Sequence, residues 1–332
     1  MIFLTLIVLM IAGLAGYSVF TAWRAERNFP PVGYFVEVEG ARLHYVDAAP
    51  VGGGDGAPVV LIHGASGNLR DFLASIFNSL AARHRVLAFD RPGHGWSERP
   101  GAGDMFDPAV QARVIHDALA RLGVDKPVLL GHSWGGAVAV AYALDYPDDL
   151  TGVVVLSGAT HPWPGGVAWY HHIVRIPIIG GLLLRTLMAP ARLLLAAPGV
   201  RSTFAPDPAP RGYAEMIGLP LLFRPGNFRH NSEDVRNLKD LLRARSPNYG
   251  DIRVPTIIIT GNRDRTVFAK LHSYALHEQV AGSELIKLQG TGHMPHHARP
   301  EPVIDAVSRL ARGGRPRAGI VVIPPPDPTT YK

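Results

Sequence analysis

Beyond Pro30-Pro31 the chain alternates short apolar runs with amphipathic stretches. That alternation predicts an α/β fold with a mostly parallel sheet and helices on both faces. Residues 58–62, 85–89, 128–130, 153–156 and 256–259 read as strands, most of them continuous apolar runs of the kind buried on both faces. Residues 34–38 and 42–46 predict an opening hairpin about Glu39-Gly40, 52–56 a glycine-rich loop, and 283–288 a last short strand. Helical periodicity covers 68–82, 108–122, 134–146, 267–280 and 302–312.

Three segments break the alternation. Residues 2–23 carry no charge, and about 22 helical residues at 1.5 Å each make about 33 Å, enough to cross the hydrocarbon core of a bilayer. Trp23, Arg24 and Arg27 mark an interfacial boundary. No Lys or Arg precedes the apolar stretch, which is also longer than the core of a signal peptide, so an uncleaved single-pass anchor is expected. The arginines on its C-terminal flank point to a cytoplasmic location for the rest of the chain.

The second break is an insertion at 160–250. Its apolar 176–195 stretch is interrupted by Pro177, Gly180-Gly181 and Pro190 and punctuated by Arg175, Arg185 and Arg192. Broken amphipathic helices capping a site fit this better than a second membrane span. The third is the tail from Gly313, where Pro316 and Pro324-Pro325-Pro326 predict a flexible segment. The expected organisation is an anchor and linker over 1–29, a core over 30–159 and 251–312, a cap over 160–250 and a tail over 313–332.

Composition adds constraints. The 332 residues are 47% hydrophobic and 18% charged, with no cysteine, which excludes disulfides, thiol nucleophiles and cysteine metal sites. The formal net charge of +6 resides entirely in the insertion, with eleven basic residues against five acidic ones. An anionic lipid surface and a solvated arginine-rich face both account for it. No nucleic-acid module accompanies the charge. The fifteen histidines show no metal-ligand spacing, and Gly52-Gly53-Gly54 precedes a strand instead of opening a helix, so neither a metal nor a phosphate-bearing cofactor is expected.

The chemistry centres on Gly131-His132-Ser133-Trp134-Gly135, directly after Pro127-Val128-Leu129-Leu130. A serine between two glycines at a strand-to-helix turn is a nucleophile elbow: the strained turn lifts the hydroxyl, and the glycines remove colliding side chains. Serine needs a base, and the base needs a carboxylate to fix its tautomer. His293, in Gly290-Thr291-Gly292-His293, and Asp264, in Gly261-Asn262-Arg263-Asp264, both follow carboxyl ends of strands, where open α/β sheets place their sites. Asp251 competes with Asp264, which could instead cap a helix starting near Val267. His296 and His297 compete with His293 but fit better at the start of the terminal helix. Trp134 could line a pocket or simply pack, His63 and His94 read as structural, and Arg70 and Asp71 as a local ion pair in a first helical turn.

The chain order Ser133, Asp264, His293 resembles that of the α/β-hydrolase family, in its serine-nucleophile, esterase- and lipase-like branch, over about 34–312. The resemblance implies that the residue after His63-Gly64 donates a backbone amide to an oxyanion, which makes Ala65 and Trp134 the expected donors. The loop from Asp90 to Ser97 also resembles a family loop and is read as structural. Relatives that open epoxides or remove halide carry aspartate where Ser133 stands. The resemblance therefore implies an esterase without a cofactor, acting on an apolar small-molecule ester, a lipid-like one among the candidates, with membrane lipid as its surroundings. Carbon-carbon bond hydrolases, cofactor-free haloperoxidases and a membrane-tethered binding protein without turnover share the pattern.

Overall fold

A computed structural model describes residues 1–52, 54–99 and 104–325. Gly53 of the expected loop and residues 326–332 of the expected tail lie outside the described residues. The strands are β1 (Tyr34–Val38), β2 (Ala41–Ala48), β3 (Val59–Ile62), β4 (Val86–Phe89), β5 (Val128–His132), β6 (Gly152–Leu156), β7 (Thr256–Gly261), β8 (Glu284–Leu288) and β9 (Gly319–Ile323). They form one sheet in the order β1-β2-β4-β3-β5-β6-β7-β8-β9. Only β1 and β2 run antiparallel to their neighbours; every pairing from β4 through β9 is parallel.

The helices are α1 (Ile2–Asn28), α2 (Arg70–Leu73), α3 (Phe77–Ala81), α4 (Pro108–Arg121), α5 (Trp134–Asp145), α6 (Trp169–Ile173), α7 (Ile179–Thr186), α8 (Met188–Phe204), α9 (Tyr213–Met216), α10 (Pro225–Arg245), α11 (Ser273–Gln279), α12 (Pro295–Ala298) and α13 (Pro300–Ala311). The central strands are buried on both faces, which is why their sequences are unbroken apolar runs. On β5, Leu129 packs into one core with α4 and α5, whereas Val128 and Leu130 join the opposite core with α3 and α13. Helices α6 to α10 lie between β6 and β7 and cover the carboxyl end of the sheet.

Several expectations are corrected. The helix expected over 68–82 is two short pieces, α2 and α3, broken at Ala74–Ile76. That expected over 267–280 begins only at Ser273. The tail is not irregular throughout: β9 pairs in parallel with β8, Leu285 opposite Ile320 and Lys287 opposite Val322. Its Gly319-Ile320-Val321-Val322-Ile323 run is a short strand hidden between prolines.

Among the described residues one helix, α1, is by itself long and apolar enough to cross a membrane. Its residues Ile7, Ile11, Leu14, Ala15, Ser18, Thr21, Ala22 and Ala25 are the less exposed ones, a stripe at helical spacing, and α1 packs on α7 and α8. Its C-terminal end is fastened by polar contacts: the Trp96 indole donates to the Phe29 carbonyl at 2.9 Å, and Arg224 pairs with Glu26 at 3.1 Å.

Candidate active site

Ser133 sits at φ 53° and ψ −117°, a strained backbone for a residue with a Cβ, between the end of β5 and the start of α5. Its amide donates to the Leu156 carbonyl of β6 at 3.0 Å, and its carbonyl accepts from Gly136 and Ala159, so the turn is held from both sides. The surrounding space demands glycine at Gly131, where a Cβ would meet the Gly135 carbonyl oxygen, and at two further points. A Cβ at Gly135 would collide with the carbonyl oxygens of Ile62 and His63, and one at Gly64 would stand 2.9 Å from the Ser133 Cβ. The β3 loop and the elbow therefore meet backbone to backbone.

The structure brings Ser133, His293 and Asp264 together. His293 Nε2 lies 3.0 Å from Ser133 Oγ, and its Nδ1 lies 2.7 Å from Asp264 Oδ2. The other carboxylate oxygen, Oδ1, accepts from the amides of Thr266 and Val267 at 2.8 and 2.9 Å. Asp264 thus organises its own loop and orients the imidazole at once. With Asp264 ionised, His293 carries its proton on Nδ1 and presents a lone pair to the serine hydroxyl. Asp251 is exposed at the end of a 3-10 turn that precedes the amino end of β7, whereas Asp264 follows the carboxyl end of that strand.

The two amides expected to face an oxyanion belong to the loop after β3 and to the first residue of α5. Among the described residues neither the Ala65 nor the Trp134 amide donates to a protein acceptor, and the Trp134 amide opens α5, where the helix dipole favours negative charge. The Trp134 ring packs and does not line the cavity: the Arg91 guanidinium lies over it, 4.1 Å from the ring centroid, and its Nε1 donates to the Asp234 carbonyl. Arg91 and Asp234 form a wholly buried ion pair at 2.7 Å that joins the β4 loop to the cap helix α10. His63 accepts from the Arg91 amide through Nε2 and donates to the Gly64 carbonyl through Nδ1. Burial, reinforced by the Arg91 charge, pushes its pKa down to about 4, so it is a neutral structural residue.

Ser133, His293 and Ala65 open into a cavity of about 550 Å³. Its walls are mainly aliphatic and aromatic side chains of the cap, among them Leu183, Met188, Val200, Phe223 and Phe228.

The cavity wall also holds a cluster that sequence reasoning assigned elsewhere. Asp71 does not pair with Arg70, which donates to the Pro30 carbonyl. Its carboxylate instead accepts from His296 Nε2 at 2.9 Å, His297 Nε2 at 2.8 Å and the Tyr213 hydroxyl at 2.8 Å. Burial acts to raise its pKa, but His296 and His297 outweigh it and hold the carboxyl well below the usual carboxylate range. Separations of 142 to 226 residues explain why no spacing rule found it.

Comparison with known proteins bears on the family and the fold. Residues 59–306 match the model of the alpha/beta hydrolase family. The chain belongs to that family. It is 31% identical over 239 residues to a 2-hydroxy-6-oxo-6-phenylhexa-2,4-dienoate hydrolase of Burkholderia cepacia, covering 68% of this chain and 76% of that one. It is 29% identical to haloalkane dehalogenase 2 of Mycobacterium tuberculosis, covering 80% of this chain and 90% of that one. Among solved structures, the enol-lactonase of Burkholderia xenovorans superposes with a TM-score of 0.68 at 21% identity, covering 83% of this α/β hydrolase and 99% of the lactonase. A bacterial membrane phospholipase A superposes with a TM-score of 0.65 at 21% identity, covering 94% of this chain and 98% of its own.

Proposed function

We propose that this α/β hydrolase cleaves carboxylic esters of lipid-like molecules through an acyl-enzyme, held at a membrane by α1 with its globular part on the cytoplasmic side. The observation that carries the reading is the Ser133–His293–Asp264 relay, with contacts of 3.0 and 2.7 Å, opening into an apolar cavity. In this mechanism Ser133 Oγ attacks the acyl carbonyl while His293 Nε2 takes its proton, and the Ala65 and Trp134 amides receive the oxyanion. Collapse expels the alcohol, which takes the proton from His293. Water, deprotonated by the same imidazole, then attacks the acyl-enzyme, and the proton returns to Ser133 as the carboxylic acid leaves.

Two related chemistries fit less well. A dehalogenase mechanism needs a carboxylate nucleophile, and the side chain at that point is Ser133. A dienoate substrate carries a carboxylate that wants a cation, whereas no Lys or Arg lines the cavity among the described residues and the charged side chain that does is Asp71. An apolar acyl chain matches the walls directly. The superposition on a membrane phospholipase A extends over more of the chain than that on the enol-lactonase, which supports an ester substrate met at a membrane.

The test is a chain-length series of acyl esters with the detergent-solubilised full chain, alongside Ser133→Ala and labelling by a fluorophosphonate. Turnover that rises with acyl length, with both turnover and labelling lost in Ser133→Ala, supports the reading. Full activity in Ser133→Ala would sink the mechanism.

A further inference from the structure

The outer surface of the cap carries strongly exposed aliphatic side chains. Ile178 is 88% and Ile179 56% exposed at the start of α7, and Leu194 is 77% and Leu193 66% exposed within α8. Ile178 is also held at φ 66°, a conformation that β-branched residues avoid, at the apex of the turn into α7. Helices α7 and α8 are separated by Leu187 alone and bent by 68°, and taken together they are long and apolar enough for a broken span or a re-entrant hairpin. From Leu150 to Pro206 the chain carries Arg175, Arg185, Arg192 and Arg201 and no acidic residue.

The position of α1 gives this surface a depth. Ile11 and Ala15 of α1 share a cleft with Ile178, Leu182 and Arg185 of the cap. At 1.5 Å per residue, Ile11 and Ala15 stand about 18 and 12 Å along the helix from the interfacial Trp23. The hydrocarbon half-thickness is about 15 Å, so the cap reaches roughly the midplane of any bilayer that α1 crosses. Were the cap to stay in water with α1 docked as it is, only Ile2 to Met10 would project beyond it, about 13 Å against a core of about 30 Å.

We infer that α7 and α8 lie inside the bilayer beside α1, their outward aliphatic side chains among lipid acyl chains. The inference rests on the reading of α1 as a membrane anchor. Arg175 and Arg185 line the cleft shared with Ile11 and Ala15, together with Arg229 and Glu233, so the charged groups gather beside α1 with an acidic side chain among them. The immersion also explains the mouth of the cavity. Trp169, Leu187 and Leu195 line it and are yet 69%, 49% and 53% exposed, an apolar rim that opens towards lipid. An ester in the leaflet therefore enters sideways, with its chains never passing through water.

The chain has no cysteine, so single-cysteine variants report one position each. Leu194→Cys, Ile178→Cys, Val8→Cys on α1 and Asp125→Cys on the exposed loop before β5 are labelled with an environment-sensitive fluorophore. The full-length protein is then placed in phosphatidylcholine–phosphatidylglycerol nanodiscs with or without acyl-chain nitroxides. Blue-shifted emission that the nitroxide quenches at Leu194 and Ile178 as strongly as at Val8, with Asp125 unquenched, is the expected result. Quenching at Val8 with water-like, iodide-accessible emission at Leu194 and Ile178 overturns the inference and leaves the anchor standing. Water-like emission at Val8 as well overturns both.

Discussion

His132 Nε2 donates to the backbone carbonyl of His293 at 3.0 Å, tying the residue directly before the nucleophile to the loop that carries the partner imidazole. The His132 ring also packs between His293 and His296, at centroid distances of 5.0 and 4.5 Å. Burial keeps its pKa well below the ordinary histidine value, so the tie is a neutral N–H donor. His132→Ala should lower kcat about tenfold, the loss of about one buried hydrogen bond in the placement of His293. Ser133 should remain reactive to a fluorophosphonate, which steady-state kinetics and labelling on the same sample would check.

Asp264→Asn should reduce kcat on the order of 10³- to 10⁴-fold while leaving the fold intact. An amide at this position can present a donor to His293 Nδ1, which then loses its proton there and turns the wrong tautomer to Ser133. The amides of Thr266 and Val267 keep an oxygen acceptor, so the loop stays ordered. An unchanged kcat would remove Asp264 from the proposed relay.

Arg91→Met should destabilise the protein by about 3–5 kcal/mol, because it strands a buried carboxylate. Asp234 would retain Arg99 at 2.8 Å but lose its wholly buried partner, and the Trp134 ring would lose the guanidinium over its face. Urea unfolding monitored by tryptophan fluorescence measures the change. A loss below about 1 kcal/mol would show that Arg99 suffices.

Stability should fall as pH drops from about 6.5 towards 4. Burial pushes the pKa of His63 from 6.5 down to about 4, and that of His272 likewise. In that window the unfolded chain binds protons that the folded chain refuses, so folding free energy is lost with decreasing pH, by about 3 kcal/mol for His63 alone. Asp71, held below the usual carboxylate range, adds a loss of the same sign at lower pH. Urea midpoints at pH 7, 5.5 and 4.5 should decline in that order.

The sheet and the nucleophile were legible in the sequence because both are local signals. Five strands buried on both faces appear as unbroken apolar runs, and a serine that must occupy a strained turn shows its flanking glycines within five residues. Asp264 and His293 could be proposed because strand ends in a parallel sheet converge at one edge. Signals that depend on neighbours were misread. The 319–323 run looked like tail because its prolines are local while its partner β8 is not, and Asp71 looked like a helix-start ion pair because His296 is 225 residues away.

By itself, then, the sequence determined the order of elements, the serine at their strained turn, the apolar character of α1 and the one-sided charge of the cap. Tertiary structure decided what those features face. It set a 3.0 Å contact between side chains 160 residues apart, turned the Trp134 ring into core, and packed α1 against α7 and α8. The physical reason is range: backbone conformation and periodicity are written in adjacent residues, whereas hydrogen-bond partners, buried charges and the depth of a surface are properties of segments that meet only when the chain has folded.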